Sequence, residues 1–264
     1  RMKMELPMMI TRTLTLALGT CLLMPASTLF AQGSEGVDPT KTPMPIMTTT
    51  SESEESKDDN ADAKPTKAVI GKPAPNFALK DTKGGMHQLS DFTGKYVVIE
   101  WFNPGCPYCR GIYDEGVVED TIKKMKEIDS DAVYLAINST ANQPKEFVIT
   151  QSDEFMTKHE MEDIPVLLDY DGTVGRMYEA RTTPHMYLID PKGMLIYAGA
   201  ITDDRNFDQK DKAMNYVVTA ARQSASQQTI APSTVRPWGC GVKYADGGTR
   251  GGKRGGKRGG KGKP

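Results

Sequence analysis

Histidine is scarce in this chain, with only His87, His159 and His185 among 264 residues, and cysteine is limited to four. Four cysteines are too few for a disulfide scaffold in a chain of this length. Three histidines without a second cysteine pair at ligand spacing exclude a closed zinc site. Copper held by two cysteines and a histidine lacks a supporting spacing signal, so no metal and no cofactor is expected. No window reaches the roughly 18 consecutive apolar residues of a membrane span. Net charge is almost absent too, at −1 from 33 Lys+Arg and 34 Asp+Glu. That neutrality is an average: residues 1–31 carry +2, residues 32–246 carry −10 and residues 247–264 carry +7.

The flanks explain the segregation. Arg12 precedes an apolar run from Leu14 to Met24, then Pro25 and the small-residue site ending at Ala31. This order reads as a signal peptide over 1–31 and predicts export. Cys21 offers a second reading, an acylated lipoprotein, but Thr20 fits poorly before it and the run from Arg12 is short. Residues 32–67 hold eight acids, four lysines and many Ser, Thr and Pro, a composition expected to stay disordered. Residues 247–264 repeat Gly-Gly-Lys-Arg without aromatics. Such a tail suits loose electrostatic contact with an anionic surface better than base stacking.

Between the flanks, residues 68–246 alternate strand and helix patterns. Phe77–Leu79 and Met86–Leu89 flank Gly84-Gly85 as a hairpin. Tyr96–Phe102 is a nearly continuous apolar run, as in a strand buried on both faces. A helix is predicted over 107–126, a strand over 132–137, a helix over 144–159 and a strand over 165–169. A short helix then runs to Tyr178. Strands over 185–190 and 194–198 form a second hairpin, and an amphipathic helix covers 208–224. This is an α/β pattern with a mixed sheet.

Cys106-Pro107-Tyr108-Cys109 stands where the buried strand runs into the first helix. Helix N-terminal amides favour a thiolate there, so Cys106 is the expected nucleophile and Cys109 the resolving thiol one turn on. Pro107 suits the first helical position. In an exported chain the pair could be merely a structural disulfide, but two thiols opening a helix after a buried strand favour the redox reading. Glu100, inside the apolar strand, is either a desolvated proton relay or an edge-facing or salt-bridged residue. Thr183-Pro184, just before a strand, suits a cis peptide bond, and His185 reads as a packing or solvent-facing residue.

These residues resemble the thioredoxin superfamily. Gly71–Phe77 is similar to the redoxin branch, the alkyl hydroperoxide reductase/thiol-specific antioxidant group. Glu100–Pro107, Ala136–Ser139, Thr182–Met186 and Trp238–Tyr244 are similar to its exported, peroxiredoxin-like members. The resemblance covers about residues 68–244. It implies a thioredoxin-like fold, with a central mixed β-sheet flanked by helices, in the bacterial periplasm. It also implies Cys106 as reactive thiol, Glu100 as the buried acid and Pro184 as the cis-proline facing the cysteines. Trp101, Pro107, Tyr108 and Thr183 are the expected substrate contacts. The expected activity is disulfide exchange with protein or small-molecule thiols and disulfides. The alternative is peroxide reduction through Cys106, but Asn103 and Pro184 stand where peroxidases of the branch carry threonine and arginine. Arg181 is near enough in sequence to compensate. Cys240 is either a resolving thiol or a free one, and the sequence leaves both open.

Overall fold

A computed structural model of the chain describes residues 67–209 and 212–247. The expected leader with Cys21, the acidic stretch as far as residue 66 and the basic tail from residue 248 lie outside the described residues. Among the described residues no helix is long and apolar enough to cross a membrane.

The centre is a five-stranded sheet whose middle strand is β3, Val97–Trp101. On one side it pairs in parallel with β4 (Val133–Asn138), which in turn pairs in parallel with β5 (Val166–Leu168). On the other it pairs antiparallel with β7 (Met186–Ile189), which continues into the β8 hairpin partner (Leu195–Gly199). The sheet is therefore mixed, in the order β5-β4-β3-β7-β8. A separate hairpin, β1 (Ala78–Lys80) with β2 (Met86–Gln88), precedes it.

Every residue of β3 is buried, as its unbroken apolar run requires when both faces are covered. The two-residue period of a strand divides them. Val97, Ile99 and Trp101 join one core with Phe77, Leu89, Val174 and Tyr178. Val98 and Phe102 join the other, with both helix-opening cysteines, Ile112, Met125, Phe155 and Val217. That second face is covered by α1 (Pro107–Asp114), α2 (Val117–Ile128), α3 (Lys145–Lys158) and α5 (Tyr216–Ala225). The short helix α4 (Thr173–Met177) packs on the first face.

Two expectations need correction, and one element was not expected. The helix over 107–126 is two helices, because Gly116 takes a left-handed backbone at φ 69° and lets the chain turn between α1 and α2. Nothing lies within 4 Å of a Cβ added there, so Gly116→Ala should cost only the backbone penalty, roughly 1 kcal/mol in urea denaturation. The helix over 208–224 starts later, at Tyr216. The Asn215 side chain caps it by accepting from the Val218 amide at 3.1 Å. Upstream, the Asp204 carboxylate gathers the amides of Asp208 and Gln209 (3.1 and 2.7 Å) into a turn instead. Finally, a third sheet was not expected: β6 (Thr182–Thr183) pairs antiparallel with β9 (Cys240–Gly241).

Candidate active site

The site forms where β3 ends. Pro104 and Gly105 turn the chain, Cys106 occupies the N-cap of α1 in extended conformation, and Pro107 fills the first helical position. The Asn103 side chain accepts from the Gly105 amide at 2.7 Å and holds this turn. Cys109 follows one turn later, and both thiols are free and buried, 2% and 0% exposed.

Opposite them, the Thr183–Pro184 peptide bond is cis. The Cys106 thiol donates to the Thr183 carbonyl at 2.9 Å, a contact that favours its protonated form. The groups that favour ionisation outweigh it. The Cys109 thiol leads, followed by the Thr183 hydroxyl, the Cys109 backbone N–H and the Cys240 thiol, and together they hold Cys106 well below the usual thiol value despite burial. The Thr183 hydroxyl has no other hydrogen-bond partner, so it is free to serve the thiolate. Cys109 moves the opposite way: burial raises it well above the ordinary value, and the charges of Glu100 and Cys106 add to that. One thiol is thus favoured as the thiolate while the other keeps its proton.

Glu100 faces this pair because it shares the even-numbered face of β3 with Val98 and Phe102. It is fully buried, and Tyr113 and Tyr134 both donate to its Oε2, at 3.0 and 2.9 Å. Its Oε1 makes no hydrogen bond. Burial raises the carboxyl to about 7, while hydrogen bonds from Tyr134, Tyr113 and Cys109 pull the other way. Glu100 is therefore neither the edge-facing nor the salt-bridged residue that the sequence left open. Tyr134→Phe removes one donor to the carboxylate, so Glu100 should titrate above 7 at a stability cost of roughly 1 kcal/mol. Infrared titration of the protonated carboxyl band checks the first effect and urea denaturation the second.

The expected substrate contacts divide. Pro107 is exposed beside the thiols, and Thr183 adjoins Cys106. Tyr108 is half-buried: its ring meets Trp238 at 5.9 Å and its hydroxyl accepts from Arg205 at 2.8 Å. Trp101 is a correction. It lies on the opposite face of β3, 0% exposed, with its indole donating to Ser139 and its rings against Tyr178 and Tyr187. A substrate at the cysteines cannot reach it. His185 is buried against Tyr187, and its ring is held near 3 by burial and then by Arg181. The Arg181 side chain is 68% exposed and its guanidinium lies 3.9 Å from Glu179.

Cys240 is the residue whose position the sequence left open. The β6–β9 register sets it opposite Thr183, the residue whose carbonyl receives the Cys106 thiol, and there Cys106 and Cys240 shift each other's ionisation, Cys106 down and Cys240 up. Cys106 and Cys240 therefore both lie against Thr183. Gly239 allows the close approach: a Cβ there would lie 2.2 Å from the Thr183 carbonyl oxygen, and its φ is 139°. The Trp238-Gly-Cys-Gly spelling was the only signal of this in the sequence.

Paired thiols at a strand-to-helix turn, a cis-proline opposite them and a mixed five-stranded sheet define a thioredoxin-fold oxidoreductase. Residues 70–198 match the model of the AhpC/TSA family. The domain built on them belongs to the redoxin branch of the thioredoxin superfamily. Among curated proteins, a thiol-disulfide oxidoreductase ResA of Bacillus cereus is 29% identical over 134 residues, 51% of this chain and 71% of that protein. The protein of that name in Bacillus subtilis is 26% identical over 140 residues, 52% and 72% of the two chains. Among solved structures, a hypothetical protein of Sinorhizobium meliloti aligns with a TM-score of 0.58 at 22% identity, over 69% of this chain and 98% of that one. This last likeness concerns the fold.

Proposed function

We propose that the chain is an exported thiol-disulfide oxidoreductase that exchanges the Cys106/Cys109 dithiol with disulfides of proteins or small molecules. The observation that carries this reading is the opposed tuning of the two thiols at one helix N-terminus, Cys106 down and Cys109 up. The name of the Bacillus relatives supports the same chemistry.

The Cys106 thiolate attacks one sulfur of a substrate disulfide, and the other leaves as a thiolate that takes up a proton. Cys109, deprotonated with Glu100 as acceptor, then attacks Cys106 Sγ and releases the second substrate thiol. The enzyme ends as the Cys106–Cys109 disulfide, and two electrons have passed to the substrate on sulfur alone. The reverse sequence oxidises a substrate dithiol. Pro184 and Thr183 shape the wall beside Cys106, and Pro107 and Tyr108 lie next to it in the chain. The leader over 1–31 would deliver the chain to the periplasm. The stretch 32–67 would tether the redox domain, 68–246, and the basic tail 247–264 would contact anionic surfaces.

Peroxide reduction is the weaker reading. With Asn103 and Pro184 in the two donor positions and the Arg181 guanidinium near Glu179, a hydroperoxide at Cys106 would lack polarising donors. A redox titration against glutathione, with hydroperoxide turnover measured on the same preparation, tests the proposal. The expected result is a reversible two-electron Cys106–Cys109 couple with negligible peroxide consumption. A thiol-driven peroxidase with sulfenic acid trapped at Cys106 would overturn it.

A further inference from the structure

Buried nucleophiles need a way out, and here the chain closes the direct one. Cys106 is 2% exposed and Cys109 0%, whereas Cys240 is partly exposed. The segment 238–244 runs against Thr183, the residue that receives the Cys106 thiol, and is anchored along its length. Trp238 packs on Tyr108 and donates to the Thr202 carbonyl at 3.0 Å. Val242 and Tyr244 are buried, and the Tyr244 hydroxyl donates to the Ala180 carbonyl at 3.0 Å. The Val242 amide bonds the Arg181 carbonyl, extending the β6–β9 pairing. Displacing the segment would sacrifice all of these contacts together.

Resting on the exchange reading, we propose that Cys240 is a third redox-active thiol that shuttles the disulfide between the buried Cys106–Cys109 pair and the protein surface. In the oxidised enzyme the Cys240 thiolate attacks Cys106 Sγ. The Cys106–Cys240 bond forms and the Cys106–Cys109 bond breaks. Cys109 leaves as a thiolate and takes up the proton that Cys240 gave up. No electrons are gained or lost, so the step needs no further oxidant. A partner thiol then attacks the accessible Cys240 sulfur and Cys106 leaves. The groups that stabilise the Cys106 thiolate make it the better leaving group of the pair, which directs attack to Cys240. Running backwards, the same path carries a partner disulfide inward.

The test uses the full chain with Cys109→Ser, treated with oxidised glutathione, alkylated and digested with trypsin. Cys106 falls in the peptide 96–110 and Cys240 in 223–243, because trypsin does not cut between Arg236 and Pro237. The expected product is these two peptides joined by a disulfide, within one chain, with glutathione released. Glutathione retained on Cys106 beside a freely alkylated Cys240 would overturn the proposal. A second measurement keeps Cys109: Cys240→Ser should still close the Cys106–Cys109 disulfide but react at least about tenfold more slowly with a protein dithiol. An unchanged rate would mean that the segment opens to expose Cys106 directly, and would overturn the relay. Failure of the wild-type chain to close Cys106–Cys109 at all would instead remove the exchange reading on which the relay rests.

Discussion

Replacing Cys106 with serine is expected to abolish disulfide exchange, with a loss of roughly a thousandfold or more in an insulin-reduction assay driven by dithiothreitol. A hydroxyl ionises far above the range in which the surrounding hydrogen bonds can hold a thiolate, so the nucleophile is lost outright. The scaffold has little reason to respond. Serine can keep the contact to the Thr183 carbonyl and the N-cap of α1, a position that serine favours. Unchanged circular dichroism beside lost activity is therefore the expected combination. Cys109→Ser should behave differently: attack on the first disulfide persists, while turnover falls because Cys106 is no longer released by its neighbour in α1. Full activity in Cys106→Ser would remove Cys106 from the chemistry. A Cys106 whose alkylation follows the ordinary thiol range of about 8.5 would remove the physical basis offered for its reactivity.

How much of this was legible beforehand depended on the range of the interaction. The buried strand, the helix-opening cysteines and the cis Thr183–Pro184 bond are local, and adjacent residues carry them. The continuous apolar run 96–102 announces burial but not phase, since both faces are apolar. Trp101 could therefore be assigned to the substrate side when it lies on the other. Glu100 supplied the missing phase: once it faces Cys109, strand alternation sends Trp101 to the opposite core. The break at Gly116 was hidden because a lone glycine is tolerated within a helical pattern. Only the positive φ that the α1–α2 turn demands reveals its role. The delayed start of α5 depended on Asp204 capturing amides four and five residues ahead, a side-chain competition that periodicity cannot see. Cys240 was the hardest to place. Its partner Thr183 is distant in sequence, and β9 is two residues long, too short to show alternation.

The second large effect concerns Glu100 and stability rather than attack. Its carboxyl titrates at about 7 in the folded chain against an ordinary value of 4.5, so the folded state binds the proton more tightly than the unfolded one. Stability must then fall as pH rises from about 4.5 through 7, because burying the ionised carboxylate costs more than the two tyrosine hydrogen bonds return. The difference corresponds to about 3 kcal/mol, fully present as a penalty above pH 7. Glu100→Gln keeps an oxygen to accept from Tyr113 and Tyr134 but cannot ionise. It should therefore be more stable than the wild type by about that amount at pH 8.5 and nearly equal to it at pH 4.5, a comparison in which other titrating groups such as Asp169 cancel. Urea denaturation of both proteins across that range measures it. The same substitution should slow resolution by Cys109, which loses its proton acceptor while its thiol remains buried. In the wild type the resolution rate should rise as Glu100 ionises near pH 7, and in Glu100→Gln that rise should move to higher pH. A residue that merely packs would change the stability curve and leave the pH profile of resolution where it was. Movement of both together is what ties Glu100 to the proton of Cys109.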